Sequence, residues 1–134
     1  MNDYAKPIRA GLTAAVMSGA PSTAFTLVEG GDLRVSTRAV SSIASDDPAR
    51  QLLVGAGAHL AISLGWAAVL ARLLPRRHPI IEGVLAGAGI AALDLGLIGR
   101  RLPVIRGLPQ GRQWADHLAY GVTVTLVLGR RDGG

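Results

Sequence analysis

The sequence predicts an all-α integral membrane four-helix bundle with a short interfacial amphipathic helix between its first and second crossings. Three observations carry this expectation. Apolar residues make up 49% of the 134 and gather into four runs, at about 7–29, 48–74, 79–99 and 112–128, each at least the ~17 residues that a membrane crossing takes. Glycine numbers 18 against a single Phe; small residues let membrane helices approach closely, where a soluble core of this size would use aromatic volume. Lys6 is the only lysine among 14 basic residues, and the arginines stand at the ends of the runs (Arg72, Arg76, Arg77, Arg100, Arg101, Arg130, Arg131), where long side chains reach phosphate headgroups and anchor helices. That placement argues for a lipid bilayer, and against nucleic acid, as the partner of the net charge of +5.

The first run opens with Lys6 and Arg9 before GLTAAVMSGA, and Ala24 ends an S-T-A stretch, a pattern that overlaps that of a secretory signal. The run is only weakly hydrophobic and continues through Phe25, Leu27 and Val28 to Gly30 and Gly31, a suitable helix end, so it reads as a retained first helix. Pro21 inside it removes a backbone N–H and frees a carbonyl, and Ser22 or Thr23 can satisfy the disturbed backbone. In the following DLRVSTRAVSSIA, Leu33, Val40 and Ile43 share one face and Arg34, Arg38 and Ser41 another, as an interfacial helix requires. Asp47 and Pro48 supply a cap and a first-position proline for the second helix. That helix runs to Pro75, and LPRRHP is so short that the second and third helices are expected to be antiparallel neighbours. The third ends at Arg100-Arg101, and RLPVIRGLPQGR makes a longer, Pro- and Gly-punctuated connection to the fourth. Trp114 reads as a headgroup anchor, Trp66 as packing, and Glu82 as the acid of an interfacial ion pair with Arg76, Arg77 or His78.

Close packing is written into three helices. Gly11, Ala15 and Gly19, then Gly57, Ala61 and Gly65, then Gly83, Gly87 and Ala91 recur every fourth residue, ridges that serve either the bundle or a second copy of the chain. The chain shows no internal repeat and no interdomain linker, so residues 1–134 read as one transmembrane domain.

The functional signal lies at membrane depth. With alternating crossings and a rise of 1.5 Å per residue, His59 falls ~4 Å from the midplane, and Asp94 and the Asp116-His117 pair at ~7 Å on the same side. Ser22 and Thr23 fall in the same layer; Ser63 lies one turn from His59, and Tyr120 and Thr123 follow Asp116 on one face. An ionisable group in lipid is costly, so it faces the bundle interior and has a partner or a task. His59, Asp94, Asp116 and His117, with Ser22, Thr23, Ser63 and Tyr120, are therefore the candidate cluster. A broken helix beside it has the general form of the discontinuous helices of transporters.

The cluster suits a proton or ion relay, because His and Asp exchange protons in a hydrated cavity. It suits equally a set of hydrogen bonds that ties helices together. Two histidines and two carboxylates also offer ligands to a divalent cation, and His59 with His117 to haem, although the spacing forms no metal or haem motif and no cofactor is expected. With no cysteine, thiolate chemistry and disulfides are excluded. No G-x-S-x-G, Walker A, dinucleotide fingerprint or H-E-x-x-H occurs, which leaves a soluble-enzyme reading without support. The segments GAPSTAF, HLAISLGW, ALDLGLIGRRLP and ADHLAYG resemble stretches of small integral membrane proteins of high-GC, actinobacterial type. The resemblance implies a multi-pass protein of the bacterial cytoplasmic membrane and carries no activity with it.

The leading expectation is thus a small transport or ion- or proton-conducting protein, oligomeric because four short helices enclose little room. The alternative is a non-catalytic accessory subunit of a larger membrane complex; a membrane-embedded enzyme comes third. Basic residues divide seven against seven between the two faces, so charge alone gives no orientation.

Overall fold

The computed structural model describes residues 4–32 and 47–130, and the interfacial helix expected within 33–45 lies outside them. The described residues form α1 (Ala5–Met17), α2 (Ala20–Glu29), α3 (Pro48–Leu73), α4 (Pro79–Ala91), a π-helical segment (Ala92–Ile98), a 3₁₀ turn (Gly99–Arg101), α5 (Pro103–Arg106) and α6 (Gln110–Gly129), with no strand among them. Three stretches are long and apolar enough to cross a membrane: Ala5–Glu29, Ala49–Leu73 and Pro79–Arg101. The fourth run folds as α6, beginning at Gln110, but Gln110, Arg112, Gln113, Asp116 and His117 make its first half too polar to join the other three.

Local chemistry sets the helix limits. Asp47 accepts the Ala49 amide at 3.2 Å and Pro48 takes the first turn of α3, a side-chain cap with a proline where no N–H is needed. Gly30, at φ 70°, ends α2 in the left-handed region, which costs a residue without Cβ nothing. The first run is broken at Ser18–Gly19, and Pro21 falls in the first turn of α2. The break precedes the proline because its ring clashes with the carbonyl four residues back.

The loop between α3 and α4 is closed by its own charges. The Arg76 guanidinium donates to the carbonyls of Ala71 at 2.9 Å and Leu74 at 3.4 Å, orphans of the last turn of α3. Glu82, in the first turn of α4, accepts the amides of Arg76 and Arg77, each at 2.8 Å, and of His78 at 2.9 Å. Glu82 thus meets the three expected neighbours through their backbone amides.

Helix packing departs from the expected neighbour order. α3 packs on α1 and α4 on α6, while α1 and α2 also lie on α6; α3 and α4 do not form a packed pair. A short loop fixes only where one helix ends and the next begins, and glycines choose the contacts. A Cβ on Gly83 would lie 2.6 Å from the Val122 Cα, on Gly87 2.8 Å from the Leu118 Cα, and on Gly121 2.6 Å from the Gly87 amide nitrogen. The α4–α6 backbones are therefore in direct contact. Gly11 meets α3 similarly, its Cβ position 3.1 Å from the Leu64 Cα, whereas Gly19, Gly57 and Gly65 face open space.

The core is built mainly from small residues and from α6, with Ala10, Ala14, Ala67, Leu70, Ile90, Tyr120, Val124 and Leu128 buried together. The least apolar long helix thus takes the centre. The more apolar ones turn outward: only 11% of the apolar stretch of α3 is buried, and Leu53, Leu73, Leu85 and Val28 are among many large exposed side chains. Apolar surface on this scale needs an apolar solvent or a partner.

Candidate functional site

The site is assembled along the first half of α6. Two consecutive residues of a helix point roughly 100° apart, so Asp116 and His117 reach different neighbours. Asp116 turns to the break in the first run, where its Oδ1 accepts the Ser22 amide at 2.9 Å. Ser22 is the third residue of α2, one of the first-turn amides that no intrahelical carbonyl can take. A carboxylate from α6 therefore caps α2 from outside, where the helix dipole also favours negative charge.

His117 turns to the π-helical segment. Its Nδ1 lies 2.7 Å from the Gln113 carbonyl, and its Nε2 3.3 Å from Oδ2 of Asp94. A carbonyl only accepts, so Nδ1 carries a hydrogen. Neutral imidazole has one N–H, which leaves Nε2 as an acceptor facing an oxygen. The contact with Asp94 is a hydrogen bond only if a further proton lies between them, held as a neutral acid beside imidazole or as a carboxylate beside imidazolium. Both side chains of the pair are partly open, 21% for His117 and 31% for Asp94. The π turn sets the geometry: its wider winding shifts Asp94 relative to an α-helix, and single π turns recur at functional sites.

The remaining candidates take other partners. His59 is exposed and its Nε2 donates to the Ala15 carbonyl at 3.0 Å, near the end of α1, within electrostatic reach of Asp116 but not bonded to Asp94. The Tyr120 hydroxyl donates to the Ser63 backbone carbonyl, and Thr123 to the Ala119 carbonyl at 2.7 Å. These hydroxyls serve the backbone and not the carboxylates. Thr23 is exposed and stands apart. The expected single cluster resolves into two contacts, Asp94–His117 and Asp116–Ser22, and among the described residues no three His, Asp or Glu side chains converge as a metal site would need.

Two features lay outside the sequence reading. Arg112 pairs with Glu29, approaches the Thr26 hydroxyl at 3.5 Å and stands 5.9 Å over the Phe25 ring, fastening the end of α2 to the start of α6. The up-and-down arrangement already placed both charges at one membrane face, which is the signal that could have found them. The buried Thr125 hydroxyl donates to the Pro79 carbonyl at 2.6 Å, a tie with no sequence signature.

Among the described residues these features define a helical protein with apolar helices turned outward and an acid–histidine contact, Asp94 to His117, between the π-helical segment and its central helix. No protein-family model, curated protein or solved structure matches the chain.

Proposed function

We propose that this chain is a multi-pass protein of the bacterial cytoplasmic membrane, with α6 as a fourth crossing, and that Asp94 and His117 load and release a proton in a small transport or conducting protein. The observation that supports the reading is the contact itself: the Gln113 carbonyl faces Nδ1, so a hydrogen bond between Nε2 and Oδ2 would need one further proton. Such a pair would move between two proton-bearing forms without breaking its hydrogen bond, and its partial exposure would have to open to water in the membrane. Asp116 has the positioning role, holding the broken first run against α6.

The test is flux across liposomes that hold a pH-sensitive dye and the reconstituted protein, with an imposed pH gradient. The native chain is expected to dissipate the gradient faster than empty vesicles, and Asp94→Asn or His117→Gln to remove most of the difference. Native vesicles no leakier than empty ones, or full flux from Asp94→Asn, would overturn the reading.

A second reading, an accessory subunit, is favoured by α3, whose Gly57 and Gly65 have nothing within 4 Å. It predicts that cysteines replacing these glycines crosslink to another chain in native membranes.

A further inference from the structure

The connection between α4 and α6 carries three arginines whose side chains take no partner among the described residues. Gly99–Arg101 forms a 3₁₀ turn, Leu102 is extended, and Pro103–Arg106 folds back as α5, so close that a Cβ on Gly99 would lie 2.9 Å from the Ile105 Cγ2. The loop has its own internal bonds: Ile105 and Arg106 donate their amides to Leu102 at 3.0 Å. The Gln110 side chain donates to the carbonyls of Ile105 at 3.1 Å and Leu108 at 3.0 Å. Leu108 is buried beneath, and Leu102, Val104 and Ile105 are partly covered. The loop is an ordered amphipathic platform, and Arg100, Arg101 and Arg106 stand exposed on it.

Several other basic residues among those described are engaged. Arg72 and Arg76 close carbonyls at the end of α3, Lys6 donates to the Arg130 carbonyl, and Arg112 pairs with Glu29. Among the described residues Arg100, Arg101 and Arg106 have no such bond, and residues 95–115 hold no Asp or Glu that would neutralise them. Arg9, Arg50, Arg77 and Arg130 are also uncommitted among the described residues, but they are scattered along the chain, on α1, on α3, in the α3–α4 loop beside Glu82 and just past the end of α6. Guanidinium groups match phosphate oxygens with paired donors.

We propose that Arg100, Arg101 and Arg106 form a binding site for the phosphate of anionic phospholipid headgroups, and that this face lies against the anionic leaflet. Each arginine at such a surface strengthens binding by about fivefold, so the three together give on the order of 100-fold preference for an anionic over a zwitterionic lipid. This inference stands on the loop and does not depend on proton movement by Asp94.

The experiment compares thermal unfolding of the full chain in detergent as phosphatidylglycerol or phosphatidylcholine is titrated in. Phosphatidylglycerol is expected to raise the midpoint at far lower mole fraction. The variant R100Q/R101Q/R106Q is expected to lose this selectivity and R9Q/R77Q/R130Q, equal in charge, to keep it. Should the triple variant fail to fold, R106Q alone and quenching of Trp114 by brominated lipids in a Trp66→Phe background give the same comparison. Full selectivity without the loop arginines, equal loss in both triple variants, equal quenching by both lipids, or replacement of the lipid effect by inorganic phosphate would each overturn the proposal.

Discussion

Gly121→Ala is the sharpest test of how this bundle is held together. The added methyl would sit 2.6 Å from the Gly87 amide nitrogen and 2.9 Å from its Cα. The first of these is about 0.8 Å inside the ~3.4 Å at which ordinary contact begins, and backbone atoms cannot swing aside as a flexible side chain can. Overpacking of this kind costs about 1–3 kcal/mol, against a gain of at most ~1 kcal/mol from replacing glycine inside a helix. With the full gain subtracted, the expected net effect is a loss centred on about 1 kcal/mol and reaching ~2 kcal/mol, up to several degrees in the unfolding midpoint for a chain of this size. Gly65→Ala is the internal control: nothing lies within 4 Å of its Cβ position, so it should be neutral or slightly stabilising. The assay is thermal unfolding in detergent followed by helical circular dichroism. If Gly121→Ala were as stable as the native chain, or Gly65→Ala equally damaged, the contact between α4 and α6 would not be the one described.

Three further outcomes follow from the same geometry. In a double-mutant cycle, Asp94→Asn and His117→Gln should couple by roughly 0.6–1.7 kcal/mol, the range of membrane hydrogen bonds, while Asp94→Asn with His59→Gln should be additive; coupling only in the second cycle would reverse the assignment. Asp116→Ala leaves the Ser22 amide without its acceptor and should cost about 1–3 kcal/mol, with Asp116→Asn milder because an amide oxygen still accepts; equal stability of all three chains would argue against the external cap. Because the native chain has no cysteine, single cysteines at Arg77 and Arg106 can be labelled in intact cells with an impermeant reagent; labelling of both on the same side would break the four-crossing arrangement.

Much of the fold was legible because local rules set it. The caps at Asp47 and Gly30, the disturbance caused by Pro21 and the apolar stretches all depend on residues within a few positions of one another. The site was less legible. Depth arithmetic put His59, Asp94, Asp116 and His117 in one layer, but a layer does not say which way each side chain turns. Asp94 meets His117 and not His59, since His59 reaches the end of α1 instead, and no residue pattern in the segment Ala92–Ile98 announces that choice. Ser63 and Tyr120 were placed near the carboxylates by spacing along their helices, yet the tyrosine hydroxyl goes to a backbone carbonyl on α3, since that acceptor lies within reach only once α3 and α6 are packed.

The sequence by itself determined that the chain is helical, the caps at Asp47 and Gly30, and three of the four stretches expected to have the length and apolarity to cross a membrane, because hydropathy and capping act over a turn or two of chain. The tertiary structure decided which glycines serve contacts, Gly83, Gly87 and Gly121 and not Gly57 or Gly65, that the most polar long helix takes the centre, and that α3 lies on α1 instead of beside α4. Those outcomes depend on the simultaneous fit of several helix surfaces. A small-residue ridge is equally suited to any partner that comes close enough, so only the assembled bundle distinguishes the ridges it uses from those it leaves open.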